Sequence, residues 1–105
     1  MMEYVAVETQ RELLGTVVIS KNGRDAGRPY VVTGWLPDVY ALVADGKRRK
    51  TCNPKKKNIK HLRFTQCRHG GLHDKLVNGE QITDRMIREE LTAYAAVTGE
   101  GRLNG

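Results

Sequence analysis

The alternation of apolar and polar positions divides the chain into a β-rich first part and a helical last third. Gly15-Thr-Val-Val-Ile-Ser20 alternates, with Val17 and Ile19 on one face, and predicts a strand. Arg28-Pro-Tyr-Val-Val-Thr-Gly-Trp-Leu36 is rich in β-branched and aromatic residues and predicts a second. Pro37-Asp38 reads as a turn, because proline presets φ. Val39-Tyr-Ala-Leu-Val-Ala44 is a third strand, and Asp45-Gly46 is a hairpin signal that sends Lys47 to Thr51 back as a fourth. Asn53-Pro54 breaks that strand, Lys55 to Asn58 make a loop, and Ile59 to Thr65 complete the sheet. Short strands with tight turns and no intervening helix predict a mainly β fold, a small antiparallel barrel closed so that no edge is left exposed.

The last third changes period. Gln66 to Lys75 reads as a polar loop around Gly70-Gly71, and Asn78-Gly79 as a turn. Thr83 is a natural N-cap, followed by Asp84 at the positive end of the helix dipole. Met86, Ile87, Leu91, Tyr94 and Ala95 then recur at helical spacing, with Arg85, Glu89 and Glu90 on other faces. Gly99 stops this C-terminal α-helix, Arg102 to Gly105 fray, and the helix caps an open side of the barrel. Residues 1–14 are an extension with two readings: an alternating strand over Glu3 to Glu8, or a helical turn over Thr9 to Leu14. The division is thus 1–14 extension, 15–65 barrel with a basic segment, 66–105 loop, helix and end.

Composition sharpens this outline at one place. The 105 residues carry 18 Lys+Arg and 12 Asp+Glu, a net charge of +6. Ten of the cations fall between Lys47 and His69, where there is no acid, so the remainder holds 8 basic and 12 acidic residues, a balance of 8 − 12 = −4. Surfaces shaped for solubility alone mix the signs. A segment this biased carries a potential of several kT and attracts polyanions. It lacks interleaved Leu, Phe or Trp at helical spacing, which argues against a membrane surface. No apolar run reaches the roughly 20 residues of a membrane span. The start carries acids and no Lys or Arg, unlike a signal peptide. A cytoplasmic domain is expected, with Cys52 and Cys67 as thiols.

Val17-Val-Ile-Ser-Lys-Asn-Gly-Arg-Asp-Ala-Gly-Arg-Pro-Tyr-Val-Val32 is strand, basic glycine loop, strand. It resembles the KOW motif, in which a Lys-x-Gly-x-x-x-Gly turn joins two strands. With the continuation into Lys47-Arg-Arg-Lys50 and Pro54-Lys-Lys-Lys57, residues 15 to about 64 look like the KOW-containing RNA-binding proteins of bacteria, which are similar to one branch of the eukaryotic-type large-subunit ribosomal proteins. The resemblance implies an SH3-like barrel that contacts RNA, commonly ribosomal RNA, without catalysis. Gly23 and Gly27 match the loop glycines, and Lys21, Arg24 and Arg28 its basic positions. Asp25 and Ala26 depart from the pattern, and Asp25 lowers the loop's charge.

The expected RNA contacts are therefore Lys47, Arg48, Arg49, Lys50, Lys55, Lys56, Lys57, Lys60 and Arg63, flanked by Lys21, Arg24 and Arg28, with Gly23, Gly27, Asp45 and Gly46 shaping the turns. Arginines grip phosphate bidentately and lysines act as point charges. Tyr30, Trp35, Tyr40 and Phe64 fall in or beside strands as packing residues, so structured RNA is read by shape and backbone. The expected partner is RNA, ribosomal RNA first, with the ribosome or another translation or transcription complex around it. A protein-interaction module, as in KOW domains of transcription elongation factors, is the alternative.

Other chemistry is poorly supported. Cys52, Cys67, His69 and His73 contain no Cys-x₂₋₄-Cys knuckle for zinc. Cys67, His69 and Asp74 lie too close in sequence, on a glycine-rich stretch, to form a held triad. Glu89-Glu90 are adjacent helix residues that point apart, and Gly23-Arg-Asp-Ala-Gly27 lacks the Gly-Lys-Ser/Thr of a P-loop. No catalytic residue, metal or cofactor is expected.

Overall fold

The computed structural model describes residues 6–37, 39–68 and 70–98. The predicted extra strand over Glu3 to Glu8, Asp38 of the Pro37-Asp38 turn, the Gly99 stop and the frayed end lie wholly or partly outside them. Nine elements follow one another: α1 (Val7–Leu13), β1 (Thr16–Ser20), β2 (Pro29–Leu36), β3 (Tyr40–Ala44), β4 (Lys55–Asn58), a 3-10 turn (Ile59–His61), β5 (Leu62–Arg68), α2 (Gly70–Val77) and α3 (Asp84–Thr98).

All strand pairings are antiparallel, in the order β4-β3-β2-β1-β5. The mainly β architecture stands, but the hydrogen-bonded ladder does not close. β4 and β5 are the two ends of the sheet, and β5 pairs with β1, setting Arg63 opposite Ile19 and Leu62 opposite Ser20.

The sheet is buried on both faces. On one, Val17, Ile19 and Val31 pack with Leu72 of α2 and Ile87 and Tyr94 of α3. On the other, Val18, Tyr30, Val32, Ala41, Val43 and Leu62 form a second cluster, joined by Leu14, Trp35, Ile59 and Phe64. β1 lies between the two and is buried along its whole length.

Four sequence expectations need correction. Lys47 to Thr51 form no strand: Asp45 Oδ1 accepts the backbone N–H groups of Lys47 and Arg49, both at 2.9 Å, and folds the chain into a turn. Four successive cations offer no apolar face to bury, whereas the Asp side chain satisfies their backbone donors locally. Lys55 to Asn58 are strand rather than loop, because alternation gives Lys55 and Lys57 one face and a shared anion there. The stretch read as loop from Gln66 to Lys75 is the end of β5 and most of α2; Leu72 and Leu76, one helical turn apart, both reach the core. Finally, Glu90 is buried. With Ile87 and Tyr94 it occupies the stripe of α3 that faces the sheet.

The N-terminal ambiguity resolves as helix α1. Trp35 Nε1 donates to the Gln10 carbonyl at 2.8 Å, and Arg68 Nη1 donates to the Glu12 carbonyl, so the helix is tied to both β2 and β5. His73 Nδ1 lies 2.7 Å from the Leu14 carbonyl, which can only accept, so this nitrogen carries the proton. The expected N-cap of α3 is present: Thr83 Oγ1 accepts the Met86 N–H at 3.1 Å.

Candidate nucleic-acid interface

The loop between β1 and β2 is shaped by its backbone. Gly23 and Gly27 have φ of 83° and 89°, a region L side chains avoid. Gly27 N–H donates to the Ser20 carbonyl at 2.7 Å and Arg28 N–H to the Asp25 carbonyl at 2.9 Å, closing the loop on the end of β1. This geometry turns the Asp25 side chain inward.

Asp25 is then the centre of a buried polar hub. Its Oδ1 accepts from the Ser20 hydroxyl at 2.8 Å and from Lys57 Nζ at 3.3 Å. Its Oδ2 accepts from the Tyr30 hydroxyl at 2.8 Å and from Lys55 Nζ at 2.9 Å. Burial alone would raise the carboxyl's pKa, but hydrogen bonds from Lys55, Tyr30, Ser20 and Lys57 outweigh it and hold the group well below the usual carboxylate range. Tyr30 moves the other way. Burial and its donation to the Asp25 carboxylate push the phenol up to about 12.

The hub joins segments far apart in the chain. β1 and β4 are separated by two strands in the sheet order. Flat, that would place them roughly 14 Å apart, three steps of about 4.8 Å. The sheet must coil strongly for Lys55 and Lys57 to meet Asp25. The 3-10 turn reinforces the coil, with Lys21 N–H donating to the His61 carbonyl and Ile59 N–H to the Val39 carbonyl, both at 2.8 Å.

The twelve expected RNA contacts thus divide. Lys57 is buried and Lys55 half-buried, both paired with Asp25, so these two cations are structural before they are anything else. Lys56 points to the opposite face, its Nζ 4.7 Å from the centre of the Tyr40 ring. Lys21, Arg24, Lys60 and Arg63 are exposed; the first two stand on the clamped loop and the others follow the lysines of β4. Lys47, Arg48 and Lys50 are exposed on the turn after β3, while Arg49 is half-buried and its Nε makes no hydrogen bond. Arg28 and Lys47 meet across a cleft against α3. Asp45 and Gly46 do shape their turn, though a wider one than a two-residue hairpin.

The turn 45–53 is docked on α3. Thr51 N–H donates to Asp84 Oδ1 and Arg88 Nη1 to the Gly46 carbonyl, both at 2.8 Å. Gly46 has φ of 78°, and a Cβ there would lie 2.6 Å from the Asp84 carbonyl oxygen. Arg88 is a cation beside the basic segment that sequence reading missed. Its only signal was a position three residues before Leu91 on the same helix.

The aromatic side chains of the strands are engaged in packing. Trp35 and Phe64 stack on each other with ring centres 6.3 Å apart. Tyr30 is 4% exposed with its hydroxyl on Asp25, and Tyr40 lies under Lys56. Of the residues considered for zinc or catalysis, His69 lies outside the described residues and Cys52 is exposed. His73 is bonded to Leu14, and the Cys67 thiol is raised by burial and by the charge of Glu90. Among the described residues no three His, Cys, Asp or Glu side chains are grouped to hold a metal ion, and no helix is long and apolar enough to cross a membrane. Compared with known proteins, the chain matches no family model and no curated protein.

Proposed function

We propose that this chain is a non-catalytic RNA-binding domain, a KOW-type module of SH3-like strand order, that grips structured RNA by its phosphates and works in ribosome- or rRNA-associated translation in the cytoplasm. The SH3-like reading rests on the strand order, on the coil that brings β4 to the β1–β2 loop, and on the 3-10 turn between the two terminal strands. The observation that carries the function is the Asp25 clamp. It ties the loop 21–28 to β4, and so gives Lys21 and Arg24 a fixed support beside the chain that continues to Lys60 and Arg63.

Fixed cations at the surface suit a repeating polyanion, since each neutralised phosphate releases counterion and the entropy of ordering the side chains' support is already met by folding. Among the described residues the strand aromatics are stacked on one another, buried or covered by Lys56, which leaves little for single-stranded bases and supports recognition by shape and backbone. Exposed large apolar side chains among the described residues are Val7 and Val97, one on each of two helices, and such single residues mark no patch for a protein partner.

The test is crosslinking in cells followed by sequencing of the attached RNA. Enrichment of ribosomal RNA is the expected result. Protein partners that survive nuclease, with no RNA attached, would replace this reading with that of a protein-interaction module.

A further inference from the structure

A cleft of about 310 Å³ opens between α3 and the junction of β2 with the turn after β3. Its size is at the lower end of pockets that hold small ligands, which start near 300 Å³. Arg28, Lys47 and Arg88 line it, three cations from three separate segments, with Asp45 as the only acid among the lining residues. Pro29, Leu91 and Ala95 give it an apolar floor.

The walls are held before any ligand arrives. Arg28 is fixed through its backbone to Asp25 and to Ser20, whose N–H donates to the Arg28 carbonyl at 3.0 Å. Lys47 is fixed by its N–H on Asp45 Oδ1, a contact that also engages the carboxylate. Arg88 is fixed by its bond to the Gly46 carbonyl, and Leu91 by packing against the core cluster of β1, β2 and α3. An anionic group joined to a flat, weakly polar one satisfies both surfaces. A phosphate alone would leave the floor empty, and an apolar ligand alone would leave three cations unmatched.

We propose that this cleft receives one unstacked nucleotide of the bound RNA, its phosphate against Arg28, Lys47 and Arg88 and its base on the floor of Pro29, Leu91 and Ala95. The assignment rests on the RNA-binding reading above and adds to it a place where a structured RNA is read at a bulge. A base already unpaired is the least expensive to seat in a pocket.

The experiment compares two RNA hairpins identical except for one bulged uridine, in fluorescence competition against the full chain. The wild-type protein is expected to favour the bulged hairpin by about tenfold, which burial of roughly 60 Å² of the base against an apolar floor supplies. Thr92→Trp fills the cleft from an exposed position on α3 and is expected to bring that ratio to one. Lys47→Glu, on the exposed turn, is a second variant with the same expectation for the ratio. Equal affinity of the wild type for both hairpins, or a ratio that survives both substitutions, overturns the proposal. Free uridine monophosphate competing as well as the bulged hairpin would make the cleft a site for free nucleotide and overturn it too. Failure to bind either hairpin would defeat the RNA-binding reading itself.

Discussion

Lys55 and Lys57 are charged like Lys47, Arg48 and Lys50 and lie a few residues away, yet the two groups do opposite work. Lys55 and Lys57 face inward onto Asp25, and Lys57 retains only 10% of its side-chain exposure. The cations of the turn stand in solvent, because the backbone there is satisfied by Asp45 and leaves the side chains unclaimed. Strand alternation makes the difference. It sends every second side chain to one face, so Lys56 is separated from its neighbours and lies over Tyr40 instead. A basic run in a sequence is therefore several objects once it folds, and its charge counts toward a partner only where no internal anion has taken it.

The largest effect is expected at the hub. Asp25→Ala leaves buried Lys57 without its anion and should destabilise the domain by about 3 kcal/mol in a denaturant titration. The same hub sets an acid limb. The folded pKa of Asp25 lies below its ordinary 3.8, so its contribution is complete above that value and is lost as pH falls through the folded one. Unfolding free energy should be flat for this group from neutral pH to about 5 and decline below about 4, and Asp25→Asn should flatten that decline. Tyr30 gives a mirror image at high pH. Its ordinary 10.0 is raised to about 12, so its contribution is present below pH 10.0 and is lost from there toward 12.

Next in size is Gly46→Ala. It forces a side chain into positive φ and against the Asp84 carbonyl, and should cost about 2 kcal/mol, measured by thermal unfolding. Replacing Lys47, Arg48 and Lys50 together by Ala should leave stability within about 0.5 kcal/mol, while the slope of log K against log salt for RNA falls by about 2 to 3. An unchanged slope would remove the turn from the interface. The smallest single-site effect belongs to Lys56→Ala, which removes an exposed cation over a ring and should cost about 0.5 kcal/mol in a denaturant titration.

The strands with a repeating apolar side were legible. β1, β2 and β3 fall where alternation and β-branched residues put them, and Thr83 caps α3 as its side chain predicts. What failed depended on partners distant in the chain. Nothing local to Lys55-Lys-Lys57 says strand; its face is completed by Asp25, thirty residues earlier. Asp25 was visible as the residue out of place in a basic loop, but as a loss of charge rather than as the anchor it is. α2 was hidden by Gly70-Gly71, a loop signal overridden by the burial of Leu72 and Leu76. Glu90 was put on another face from the apolar positions, although its spacing from Ile87 and Tyr94 puts it on the buried stripe.

The open end of the sheet at β4 has a bearing on how the molecule meets its own copies. An unpaired strand edge is a template on which a second chain can extend a sheet, and fibrils grow from such edges. Here the edge is four residues long and three of them are lysine. A second copy adding in register would bring the exposed Lys56 ammonium groups together at the spacing of adjacent strands, so growth from this side is opposed by like-charge repulsion before it begins.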